Sequence, residues 1–66
     1  MEYNIRIGTK ILHISSNSIH TIKNIVMISD TDKKITYETQ LGFKYEISSI
    51  VLQTQIENNY LKILKY

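Results

Sequence analysis

The run Ile35-Thr36-Tyr37-Glu38-Thr39-Gln40-Leu41-Gly42-Phe43-Lys44-Tyr45-Glu46-Ile47 decides how this chain folds. Apolar side chains take every second place, at Ile35, Tyr37, Leu41, Phe43, Tyr45 and Ile47, with Thr36, Glu38, Gln40, Lys44 and Glu46 between them. Successive side chains of a strand point to opposite faces, so a period of two held this long buries one face and wets the other. Thr39 interrupts the apolar phase, and Gly42 stands where the chain would reverse. The segment reads as two strands joined at Gln40-Leu41-Gly42, with the rest of a small barrel built around them.

Upstream, residues 22–29 carry Ile22, Ile25, Val26, Met27 and Ile28, and the unbroken apolar run 25–28 predicts a central strand, buried on both faces or covered by another segment. Asp30-Thr31-Asp32-Lys33-Lys34 supplies turn formers, so residues 22–29 and 35–40 should form an antiparallel hairpin. Ser15-Ser16-Asn17-Ser18 is a polar loop, because such side chains bond to nearby backbone. Before it, Gly8-Thr9-Lys10 kinks the chain and a first strand begins near Ile11.

Downstream, Ser48-Ser49 closes a single 3₁₀ turn ahead of a short strand at Ile50-Val51-Leu52-Gln53. The tail supports two readings. Ile56, Tyr60, Ile63 and Leu64 have helical spacing, yet Asn58-Asn59 suits a two-residue hairpin loop, since Asn tolerates positive φ. The hairpin, pairing 51–57 with 60–66, is preferred, because a helix of at most nine residues is marginal without packing.

The 66 residues allow one domain, 1–66, with a small core. Chains this short bury about 60% of their unfolded surface, and an unstapled core supplies roughly 3–5 kcal/mol. Without Cys there is no disulfide, and His13 and His20 are too few for a structural zinc site. Oligomerisation is the common remaining source of stability. No apolar run nears the roughly 18 residues of a membrane span, and Met1-Glu2-Tyr3-Asn4 lacks signal-peptide character, so the expected compartment is the cytoplasm of the cell or host. Eight Lys and Arg against six Asp and Glu give a net charge of +2, scattered along the chain.

The order of these segments is Ile7-Gly8-Thr9-Lys10-Ile11, a polar loop, His20-Thr21-Ile22-Lys23-Asn24-Ile25, a hairpin, Tyr45-Glu46-Ile47, a Ser-Ser-Ile turn and a last short strand. Over residues 5–52 that layout resembles the small barrels of the Src-homology-3-like class, including KOW and Tudor-type domains and many short phage proteins. The resemblance implies an all-β antiparallel barrel of about five strands, to which the tail read above adds a C-terminal extra strand or short helix. Where KOW segments carry a Gly before the second strand this chain has His20-Thr21, so the RNA contacts of that family do not transfer.

Catalytic motifs are lacking: there is no Cys nucleophile, Gly-x-Ser-x-Gly elbow, phosphate-cradling loop or His-Glu-x-x-His, and neither an enzyme nor a cofactor is expected. Asp30, Asp32 and Glu38 read as turn and surface acids before they read as a cation site. His13 and His20 flank the polar loop, where they would form a pH-responsive pair or, more simply, two partly exposed histidines.

The expected function is a non-catalytic protein-binding or self-assembling accessory module of phage or mobile-element type that modulates a host factor. Its interaction residues would be the apolar tail, Tyr60, Leu61, Ile63, Leu64 and Tyr66, through which the chain would form a dimer or higher oligomer. The alternative is a nucleic-acid-binding barrel using Lys33, Lys34 and Lys44 on phosphates, with Tyr37 and Tyr45 stacking on bases.

Overall fold

A computed structural model describes residues 5–65. Its strands are β1 (Lys10–His13), β2 (Ser18–Met27), β3 (Lys33–Glu38), β4 (Lys44–Ser48) and β5 (Leu61–Lys65), with one helix, α1 (Ser49–Glu57), between β4 and β5. All neighbours pair antiparallel, in the order β4-β3-β2-β1-β5. The strands form one open sheet with β4 and β5 at its two edges, and no pairing between those edges closes it into a barrel among the described residues. Among the described residues no helix is long and apolar enough to cross a membrane.

The strands of the founding stretch pair as its alternation predicts, although Leu41, Phe43 and Tyr45 stay exposed. Ile35 lies opposite Ile47 and Tyr37 opposite Tyr45, so one apolar face runs across β3 and β4. The reversal falls at 39–43, where Gly42 has φ of 89° and its amide donates to the Thr39 carbonyl at 3.0 Å. Positive φ costs Gly little and other residues more.

β2 is the central strand, but it is not buried on both faces. Ile22 and Ile25 turn inward, with a register shift between Ile22 and Asn24 that lets both reach the core despite their odd spacing. Val26 and Ile28 are exposed, because a single sheet with one covering helix has nothing to lay over its outer face, and Met27, in the phase of Ile25, is exposed at the end of the strand. β2 also begins earlier than expected, at Ser18, and the β1–β2 turn occupies 14–17 with Asn17 at positive φ.

The tail departs from the preferred hairpin. Residues 51–57 are helical and only 61–65 are a strand. Ser48 caps the helix, its hydroxyl accepting from the Ile50 amide at 3.2 Å. At the other end the Asn59 amide donates to the Ile56 carbonyl (3.1 Å) and the Tyr60 amide to the Gln55 carbonyl (2.9 Å), with Asn59 at φ of 64°. This is the Schellman closure. Asn58-Asn59 does supply the positive φ read from the sequence, as a helix stop instead of a hairpin loop. Leu52 and Ile56, one turn apart, pack on the sheet and supply the tertiary packing a nine-residue helix needs. The buried apolar core is Ile11, Ile22, Ile35, Leu52 and Leu61.

Candidate functional site

The helix covers only part of the sheet's inner face. Beyond it, four strands each contribute one ring: His13 from β1, His20 from β2, Tyr37 from β3 and Tyr45 from β4. The rings form a row. Centroids are 5.6 Å apart for His13–His20, 4.8 Å for His20–Tyr37 and 5.7 Å for Tyr37–Tyr45, with interplanar angles of 29°, 15° and 32°. Strand alternation makes the row possible, since His20 and Ile22, Ile35 and Tyr37, and Tyr45 and Ile47 share the inward phase pairwise. The two histidines that flank the polar loop do approach each other, because β1 and β2 pair across it.

The rings that stack are partly withdrawn from water. Burial, with His13 as the neighbouring charge, holds the His20 imidazole below its ordinary range. Burial, with Tyr45 beside it, pushes the Tyr37 phenol up. His13 is steered by its own loop, its Nδ1 lying 2.8 Å from Ser16 Oγ and 3.3 Å from Ser15 Oγ. His13, His20 and Tyr37 form one wall of a cleft of about 150 Å³ whose other walls are Ile11, Ile22, Ile47, Leu52, Gln55 and Leu61. Aliphatic carbon thus lines the floor, and imidazole, phenol and the Gln55 amide line the rim.

A second, wider cleft of about 470 Å³ lies at the helix start, over Ile5, Ile25 and Ile35. Its polar wall is a structural hub. The Asp32 carboxylate accepts from the Ser48 hydroxyl (2.8 Å), the Ser49 hydroxyl (3.0 Å) and the Lys33 amide (2.8 Å), tying the β2–β3 loop to the helix N-terminus. Those donors, Ser48 first, hold the Asp32 carboxyl below its usual range. Glu38 pairs instead with Lys23 at 3.8 Å. Among the described residues no group of three or more His, Asp or Glu side chains is placed to hold a metal ion.

The residues named for protein contact divide by the strand period. Leu61 is buried and Ile63 packs against the core, while Tyr60 and Leu64 face solvent; Tyr66 lies outside the described residues. The nucleic-acid set divides too. Tyr37 and Tyr45 belong to the inner face, whereas Lys34 and Lys44 alternate with the inward Ile35 and Tyr45 and so belong to the outer face. Lys34 is paired with Glu46 at 3.3 Å. Lys33 lines the wider cleft at the far end of the sheet from His13. The sequence reading missed Gln55 as a cleft residue and Asp32, Ser48 and Ser49 as a hub, because both depend on the helix that it assigned to a strand.

Comparison with family models, with curated proteins and with solved structures gives no match to this chain.

Proposed function

We propose that this chain is a non-catalytic binding module that captures a segment of another protein on the ring-lined face of its sheet. One apolar or aromatic side chain of that segment enters the cleft beneath Gln55, and the imidazole and phenol edges bond to its polar surroundings. The observation that carries the reading is the size and lining of the cleft. About 150 Å³ holds one large side chain, whereas small-molecule sites run to about 300–1,000 Å³. An aliphatic floor with a rim of Tyr, His and Gln is the composition of an anchoring pocket at a protein interface. A chain of this size that acts by occupancy suits an accessory protein modulating the factor it binds. We propose the Src-homology-3-like class for the sheet from the succession of its first four strands and turns, although residues 50–53, read as a last short strand, are helical.

The nucleic-acid reading is less favoured because its parts do not converge. Phosphate contacts and base stacking must act on the same strand of nucleic acid, and here Lys34 and Lys44 lie on the opposite face from Tyr37 and Tyr45.

The test is a titration of the ¹⁵N-labelled chain with side-chain mimics (p-cresol, indole, isobutanol) and, separately, with a mixed-sequence oligonucleotide at low salt. The mimics should move the amides of His13, His20, Gln55 and Leu61 together, and His20→Ala should abolish the effect. Saturable shifts with the oligonucleotide, centred on Lys33, Lys34 and Lys44, with none from the mimics, would refute the protein reading and favour the rival.

A further inference from the structure

We propose that two copies of this chain pair antiparallel through the open edge of β4, about a two-fold axis at Tyr45. Such a pairing does not depend on what the cleft binds. Among the described residues β4 hydrogen-bonds only to β3, so its other side is a free strand edge. Which backbone groups face that edge follows from the turn. The Thr39 amide donates to the Phe43 carbonyl at 2.8 Å, so the backbone groups of Phe43 point toward β3. Direction alternates along a strand, so Tyr45 and Ile47 also bond toward β3 while Lys44 and Glu46 direct their N–H and C=O outward.

The strand is complementary to its own reverse. In a two-fold pairing at Tyr45, Phe43 lies opposite the partner's Ile47, Lys44 opposite the partner's Glu46, and Tyr45 opposite the partner's Tyr45. The Lys44 and Glu46 pairs are then the hydrogen-bonded ones. Tyr45 falls in a non-hydrogen-bonded pair, the closer kind, with Cα atoms about 4.5 Å apart.

Both faces of the sheet continue across such a junction. On the outer face Lys23 is ion-paired with Glu38, Glu38 lies opposite Lys44 in register, and Lys34 is ion-paired with Glu46. Adding the partner's Glu46 beside Lys44 extends an alternation of sign from strand to strand. On the inner face the row His13, His20, Tyr37, Tyr45 meets its two-fold copy ring to ring. Phe43 and Tyr45, 58% and 50% exposed, gain cover. The other edge lacks this property. β5 carries Lys62 and Lys65 with no acid, and a self-pairing there would gather four lysines.

The experiment is solution mass by light scattering across concentration, on the wild type and on two charge variants. The wild type should pass from 7.8 kDa to twice that mass as concentration rises toward millimolar. Lys44→Glu sets two carboxylates opposite each other in both pairs, and Glu46→Lys sets two ammonium groups there. Each alone should weaken the dimer on the order of tenfold or more. An equimolar mixture of the two variants restores opposite charges at both pairs and should dimerise at least as well as the wild type. That recovery cannot arise from misfolding of either variant. A wild type that stays at 7.8 kDa up to about 1 mM, or a dimer indifferent to both substitutions and to their mixing, overturns the proposal.

Discussion

Replacing Leu52 with Ala should come close to unfolding this protein. Leu52 is 3% exposed and is the only buried residue of α1. The change deletes three carbons, each worth about 0.8 kcal/mol of transfer free energy, or about 2.4 kcal/mol together. Fully enclosed Leu→Ala sites cost about 2.7–5 kcal/mol because a cavity is left behind. Leu52 borders both clefts, so the space it vacates opens to water and the cavity contribution is small. The expected loss is therefore about 2.5–3 kcal/mol. A chain of 66 residues has about 3–10 kcal/mol in total, and unstapled cores lie at the low end. With roughly 4–8 °C lost per kcal/mol in domains of this size, Tm should fall by about 10–25 °C. Urea unfolding followed by far-UV circular dichroism measures the change directly, with the slope unchanged if the transition stays two-state. A loss below about 1 kcal/mol would mean that the helix does not seal the core through Leu52, and the arrangement of both clefts would then be wrong.

Substitutions at two further positions probe other joints of the structure. Asn59, at φ of 64°, should accept Gly with little change, whereas Asn59→Ala should cost about 1 kcal/mol by the urea midpoint; an Ala variant as stable as the Gly variant would remove the left-handed helix stop. His20 is held below its ordinary pKa by burial and by His13, so the unfolded chain takes up its proton first as pH falls. Its contribution is fully present above about pH 6.5, declines as pH drops from there to the depressed folded value, and then stops declining. The urea midpoint should therefore fall between pH 7.5 and 5.5, and His20→Gln should flatten that slope; an unchanged slope in the variant would show the imidazole to be fully solvated.

What the sequence made legible follows from the reach of each signal. The alternation of Ile35, Tyr37, Tyr45 and Ile47 is a local periodicity, and it gave the β3–β4 pairing, its inner face and the turn near Gly42. Asp30 to Lys34 likewise marked the β2–β3 turn. The failures lie where one local preference served two structures. Asn58-Asn59 announces positive φ, which ends a helix as well as it turns a hairpin, and Val51, Thr54 and Ile56 carry strand propensity that the Ser48 cap and the packing of Leu52 outweigh. The apolar run 25–28 suggested double burial because sequence does not state how many layers cover a sheet; with one helix available, Val26 and Ile28 stay outside. The ring row was legible only in pieces. His13, His20, Tyr37 and Tyr45 lie 32 positions apart at the extremes, and nothing local brings them together until four strands are in register.

The two sheet edges differ in a way that bears on assembly. An open sheet presents two unpaired edges, and a chain whose edges both accept partners would build rings or open filaments. β5 carries Lys62 and Lys65 and exposes one large aliphatic side chain, Leu64, which discourages a second strand by like charge. β4 carries one cation and one anion flanking a tyrosine, and its reverse matches itself. A contact that joins the same surface on both copies uses up that surface, so pairing at β4 closes at two subunits. The chain has no disulfide and, among the described residues, only five buried apolar residues in its core, and such a closed pair would add the cover of Phe43 and Tyr45 that the monomer lacks. In such a pair the row of rings would span eight strands and present two equivalent clefts related by the two-fold axis. A partner that offers its binding segment twice would hold both at once, and its affinity would exceed that for a single cleft by the effective concentration of the second site.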